Sequence, residues 1–291
     1  MSTAVALKFQ VGARTLASVR RRLMRIGLSL DDVLAGEAPR LPPDAGDGYL
    51  VTSLPETLAG QVAASGFVAT VRQRYTRFYT DLTIGADAWT EGLSGAARST
   101  LKRKAKRAEA AGLTVRACRT AAEFDAFHPL ARAVSARTYQ ERLLDAGLPE
   151  DPAGLRALAA RDDLRAWLLL HGETPVAYLC CTAQGSALRY DHVGHDPAYG
   201  ELSPGTVLQA AALRDLFADR FARFDFTEGE GQHKRLFASD GVPCVDLLLL
   251  RPTLANRGVL AALGAFDGAM ARAKAALRHP RLQAVAKRVR R

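Results

Sequence analysis

Three apolar stretches at hairpin spacing constrain this chain most: LRAWLLL (164–170), PVAYLCCTA (175–183) and ALRYDHV (187–193). The links between them, HGET and QGS, each hold the glycine that a tight turn needs. Three strands joined this way predict an antiparallel meander. A Gly/Pro loop follows, then the strongly periodic TVLQAAALRDLFADR (206–220), a strand FARFDF (221–226) and another at VPCVDLLLLR (242–251). Upstream, TVRAC (114–118) reads as a strand. A helix is predicted from Ala121, because Thr120 and Glu123 form a capping box, and Pro129 is expected to restart it toward Leu144. LRALAARDD (155–163) predicts a second, shorter helix. The order from 114 to 251 is thus β-α-α-β-β-β-α-β-loop-β, an α/β (α+β) arrangement that several folds share in part.

The first ninety residues read as a smaller α/β unit. VALKFQV (5–11) alternates as a strand does, YLVTSL (49–54) is a short strand, PETLAGQVAASG a short helix, and 67–84 one or two strands. A helix over 94–111 links this unit to the rest. The expected organisation is therefore 1–93, 94–251 and a helical tail, 252–291. At 291 residues, with 48% apolar and 24% charged, the chain can bury a core, and disorder, a disulfide-stapled miniprotein and collagen are excluded. No window approaches ~18 uninterrupted apolar residues, and Lys8 and Gln10 interrupt any signal-peptide core, so a cytoplasmic location is expected. Cys118, Cys180, Cys181 and Cys244 show no metal-binding spacing and read as small buried hydrophobes.

The formal charge of +10 is unevenly placed. Residues 1–25, 98–107 and 251–291 hold 22 of the 40 basic residues and one of the 30 acidic ones, so the remainder of the chain is net acidic. A nucleic-acid reader would be expected to spread positive charge across its body; here it sits on three short segments, which a solvated face also explains. In 258–291, Leu260, Leu263, Phe266, Met270, Ala273 and Leu277 form one apolar face with a basic remainder. Such a helix either makes peripheral contact with an anionic membrane or packs on the body.

Three places carry candidate chemistry. Ser203-Pro204-Gly205-Thr206 opens the periodic helix: Ser203 is read as an N-cap, Pro204 as the first helical residue, and Gly205 as a point of close approach. The expected result is a row of free N–H groups at the positive end of a helix, an anion site. Asp225-Phe226-Thr227-Glu228-Gly229-Glu230-Gly231-Gln232-His233-Lys234-Arg235 places carboxylates, an imidazole and an ammonium on a loop after a strand. Strand 187–193 brings Tyr190, Asp191, His192, Val193 and Gly194. No His/Cys/Asp set has metal-ligand spacing, so no metal is expected, and no GxSxG elbow is present.

RYDHVG, SPGTVLQAAALRDLF and FDFTEGEGQHKRLFA together resemble the GNAT superfamily, in particular its CelD-like and Fem-type branch. Asp225, Phe226, Gly229 and Lys234 stand at the positions of that branch's loop motif; His233 replaces its usual aromatic, and the Gln/Arg-x-x-Gly-x-Gly/Ala loop of GNAT enzymes is missing. The resemblance covers roughly 94–251 and implies a GNAT-like mixed sheet flanked by helices. It further implies an N-acyltransferase that moves an acyl group from acyl-CoA (acetyl-CoA) to a small-molecule or peptide amine. The donor's pyrophosphate would lie at Ser203, Gly205 and Thr206, and its thioester carbonyl against the backbone of Val193 and Gly194. Glu228 is the expected base, with Asp191 and His192 as further candidates. Lys234 would hold an anionic group, and Arg137, Tyr139 and Arg142 would line the acceptor side. Two rivals remain: aminoacyl transfer from tRNA, with the basic helix 98–107 on RNA phosphates, and a GNAT-shaped protein that binds without catalysis.

Overall fold

The computed structural model describes residues 2–11, 14–43, 46–138, 147–229 and 231–277. The chain divides into two compact units, one from the described residues of 1–28, 35–74 and 244–291, the other from those of 29–34 and 75–243.

In the first unit β1 (Thr3–Val11) pairs antiparallel with β2 (Arg14–Gly27), β2 parallel with β3 (Gly48–Pro55), and β3 antiparallel with the last strand of the chain, β10 (Asp240–Leu250). The basic run 14–25 is therefore a strand, although its arginines break the alternation that would have announced one. Arg21, for example, is half-buried because its Nε donates to Asn256 Oδ1 at 2.8 Å. The C-terminal helix α9 (Leu254–Leu277) lies over this sheet. Leu263 is fully buried in a cluster with Leu7, Leu23, Leu248 and Leu250, and the Phe266 ring meets Phe9 edge-on. On that helix Leu260, Leu263 and Phe266 are spent on packing, whereas Ala273 is exposed; the side chain of Leu277 and all of Arg278, Arg281, Lys287, Arg288, Arg290 and Arg291 lie outside the described residues. Short α1 (Leu30–Ala35) and α2 (Ala59–Ala63) complete the N-terminal part of the chain.

In the second unit the strand order is β4-β9-β8-β7-β6-β5: β4 (Val68–Asp81, of which the part from Tyr75 belongs here), β9 (Arg223–Asp225), β8 (Ala187–His195), β7 (Thr174–Gln184), β6 (Leu164–His171) and β5 (Leu113–Cys118). The meander β6-β7-β8 is antiparallel as predicted, and β8 and β9 are parallel, joined by α7 (Pro204–Leu216) as the crossover. Alternation along each strand sends neighbours to opposite faces, and both faces are covered. Cys181, Leu179, Trp167 and Leu188 pack with Trp89 of α3 (Gly85–Gly92), Leu101 of α4 (Gly95–Ala110) and Leu208, Leu213 and Leu216 of α7. Cys180, Tyr178, Ala166 and Leu168 pack with Phe124, Phe127 and Val134 of α5 (Ala121–Ser135) and Leu155 of α6 (Ala153–Ala160). Burial on both sides explains why these strands read as continuous apolar runs. The fold is a mixed sheet flanked by helices, as the motif order implied.

Some local expectations are corrected. The capping box at Thr120 and Glu123 is formed, but α5 runs through Pro129 without restarting and ends at Ser135; 139–146 lie outside the described residues. The long loop after β9 contains a short helix, α8 (Gln232–Phe237). All four cysteines are buried free thiols; burial pushes the Cys118 thiol up to about 12 and those of Cys180 and Cys181 further.

Candidate active site

Parallel strands β8 and β9 pair only at Ala187–Arg223, Leu188–Phe224 and Arg189–Asp225. Beyond Arg189 the two part, and β8 keeps its β7 partner on one side only. Its free side opens on a cavity of about 580 Å³ lined by Tyr190, Asp191, Val193, Gly194 and His195 of β8, the α7 start and Gln209, and Thr227 and Lys234. The ladder sets which backbone groups face it. The Asp196 N–H donates to the Val176 carbonyl on β7 at 2.8 Å, and Ala177 pairs with His195. In an antiparallel ladder successive residues alternate direction, so the N–H groups of Val193 and His195 face the cavity and that of Gly194 faces β7. Gly194 serves differently: a Cβ there would stand 2.6 Å from Tyr178 Cε1 and 2.7 Å from Thr138 Cγ2.

At the mouth of the cavity the helix start departs from expectation. Ser203 does not cap with its side chain; it sits in the left-handed region (φ 53°, ψ 50°) and turns the chain between a 3-10 turn (Pro197–Leu202) and α7. The row of free N–H groups is also reduced. Pro204 has none, and the N–H groups of Thr206 and Val207 both donate to the Ser203 carbonyl at 3.0 and 3.1 Å. Gly205 N–H is left without an acceptor among the described residues. What sequence reasoning missed is Lys104 on α4, whose Nζ donates to Thr206 Oγ1 at 3.1 Å. His195 also lies close, its Nδ1 3.8 Å from where a Gly205 Cβ would stand.

The cavity-lining Thr227 is tied to a buried ion pair. Arg77 and Asp225 are 2% and 0% exposed and bonded twice, Nη2 to Oδ2 at 2.6 Å and Nε to Oδ1 at 3.2 Å. Asp225 Oδ1 also accepts the Thr227 N–H at 2.8 Å, which fixes the start of the loop, where Thr227 is left-handed (φ 58°). Lys234, on α8, reaches back to donate to the Glu228 carbonyl at 2.5 Å and, at 3.5 Å, to that of Thr227. Burial holds its ammonium below the ordinary lysine range, against the pull of Asp225 and Glu228. Motif residues Asp225 and Lys234 thus shape the loop from inside.

The structure brings Asp191, Val193, Gly194, Ser203, Gly205, Thr206 and Lys234 around one cavity. Asp191 is the extra residue of a bulge in β8; its Oδ2 accepts from both the Thr182 N–H and hydroxyl, and Oδ1 lies 3.3 Å from Arg189 Nη2. Glu228 is exposed on the loop and His192 is half-buried; neither lines the cavity. Burial holds the His192 imidazole below its ordinary range, opposed by Asp191 and by a hydrogen bond to the Gly147 backbone. Arg137 pairs with Asp196 at 2.9 Å. Tyr139, Arg142, Glu230 and the side chain of His233 lie outside the described residues.

Residues 95–235 match the family model described as an acetyltransferase (GNAT) domain. No curated protein sequence matches the chain. Among solved structures, the C-terminal domain of a protein assigned as a lysylphosphatidylglycerol synthetase from Agrobacterium fabrum superposes with a TM-score of 0.54 at 13% identity, covering 75% of this chain and 71% of that one. L-PGS from Bacillus licheniformis gives 0.47 at 13% identity (73% and 71% covered), and FemX 0.49 at 10% (86% and 89% covered). Residues 95–235, just under half of the chain, are thus similar in sequence to a GNAT acetyltransferase domain, and the mixed sheet flanked by helices is consistent with that fold.

Proposed function

We propose that this protein is an N-acyltransferase that moves an acyl group from acyl-CoA to an amine. The observation that carries the reading is the cavity where β8 and β9 part, with the Val193 N–H turned into it and a helix start at its mouth. A thioester carbonyl laid against Val193 would be polarised in the ground state, and the oxyanion formed on amine attack would be stabilised there. Collapse of that intermediate breaks the C–S bond and releases the CoA thiolate. The attacking amine must first lose a proton; Glu228, next to the cavity-lining Thr227 but outside the lining itself, is the proposed base through an intervening water, with Asp191, which lines the cavity, and His192 next in line. A small-molecule or peptide amine is the acceptor class.

The test is isothermal titration of the full chain with CoA and acetyl-CoA, followed by turnover with a panel of amines. Binding of both, with release of free thiol only when an amine is present, is the expected result. Glu228→Gln should lower the rate by ~10²–10⁴, most strongly at pH values below the acceptor amine's pKa. Full activity in that variant would move the base to Asp191 or His192. Absence of CoA binding would refute the acyl-CoA reading. The exposed cations Lys102, Arg103, Lys106 and Arg107 on α4 favour aminoacyl-tRNA as the donor to try next.

A further inference from the structure

We infer that Lys104, with the Thr206 hydroxyl and the Gln209 amide, forms a side-chain clamp for a diphosphate and reads the donor by its charge; this rests on the proposed acyl-CoA reading and deepens it. Three observations meet at one place. The α7 start offers a single free backbone donor, Gly205 N–H, because Pro204 has none and Thr206 and Val207 are satisfied by Ser203. One N–H and a helix dipole make a poor cradle for two phosphates, so the chain must supply donors from elsewhere.

Lys104 comes from α4 and places its ammonium 3.1 Å from Thr206 Oγ1 in the first turn of α7. Among the described residues it makes no ion pair. This is the wrong end of the helix for a cation: the N-terminus carries partial positive charge, and lysines are favoured at the other end. The placement is electrostatically unfavourable until an anion lies between the ammonium and the helix start. Gln209, one turn further along α7, is 4% exposed, lines the same cavity, and its Nε2 has no hydrogen-bond partner among the described residues. A buried amide without a partner is costly. A phosphate oxygen at the mouth would accept from Lys104 Nζ, Gly205 N–H and Thr206 Oγ1, and the neighbouring phosphate would fall toward Gln209.

The test compares wild type, Lys104→Ala, Lys104→Arg and Gln209→Leu by titration with CoA, inorganic pyrophosphate and pantetheine, which lacks the phosphates. Thermal melts confirm that each variant is folded. The expected result for Lys104→Ala is a loss of about ten- to hundredfold in affinity for CoA and pyrophosphate, with pantetheine unchanged. Lys104→Arg should restore part of the loss, and Gln209→Leu should lower CoA affinity in the same selective way. A folded Lys104→Ala that binds CoA like wild type overturns the clamp and leaves the acyl-CoA reading standing. Wild type that binds pyrophosphate through Lys104 but ignores CoA overturns the acyl-CoA reading and upholds the clamp. Wild type that binds neither overturns both.

Discussion

Replacing Asp225 by Asn should destabilise the second unit heavily while changing almost no volume. The Arg77 guanidinium is 2% exposed, and two hydrogen bonds tie it to the Asp225 carboxylate. The amide keeps an acceptor for the Thr227 N–H but takes from a buried guanidinium the charge of the carboxylate that holds it by two hydrogen bonds. Removing one partner of a buried pair costs about 3–5 kcal/mol. For a unit of this size each kcal/mol lowers the melting temperature by ~2–4 °C, so the transition should fall by roughly 6–20 °C. Differential scanning calorimetry at neutral pH reads this directly. The double variant Arg77→Met/Asp225→Leu removes both charges and should recover most of the loss, since apolar replacements of buried pairs are often neutral. A single variant melting within about 2 °C of wild type, or a double variant as unstable as the single one, would refute the argument that loss of the buried Asp225 charge carries the effect.

Gly194→Ala forces a Cβ to within 2.6 Å of Tyr178 and should cost about 1–3 kcal/mol, whereas Gly205→Ala meets only His195 at 3.8 Å and should melt like wild type; equal melting of the two variants would contradict this. Acid should destabilise the junction of β6 and α7. The Arg165 hydrogen bond holds the Asp162 carboxyl below its ordinary range, and at Asp219 burial pushes upward but is outweighed by Arg165 and Arg119. Because the folded values are depressed, this stability is present above about pH 4 and is lost as pH falls through them. Asp219→Asn should flatten the profile of melting temperature against pH on that acid limb, and an unchanged slope would count against the assignment.

The sequence by itself determined what is local. The capping box at Thr120 and Glu123, the two glycine-bearing turns of the meander, the helix beginning after Ser94 and the Pro204 helix start all rest on interactions within a few residues, so pattern and turn chemistry suffice to find them. The antiparallel meander β6-β7-β8 followed because short turn-bearing links leave few topologies. The apolar face of the tail was also visible; whether it met lipid or protein was not, since that depends on Leu7, Leu23 and Leu248, which fold beneath it.

Tertiary structure decided what depends on distant partners. Asp225 reads in sequence only as a residue of the loop motif, and its pairing with Arg77, 148 positions earlier, emerges only in the fold. Lys104 is one of six cations in a basic helix until the fold sets it beside Thr206, 102 positions away. Which of Val193 and Gly194 turns its N–H into the cavity was fixed by the register with β7 and the bulge at Asp191. Ser203, a good cap by composition, is left-handed because the turn from the Pro197–Leu202 segment into α7 demands it. In each case the residue type was legible, and its role came from a neighbour that only folding could supply.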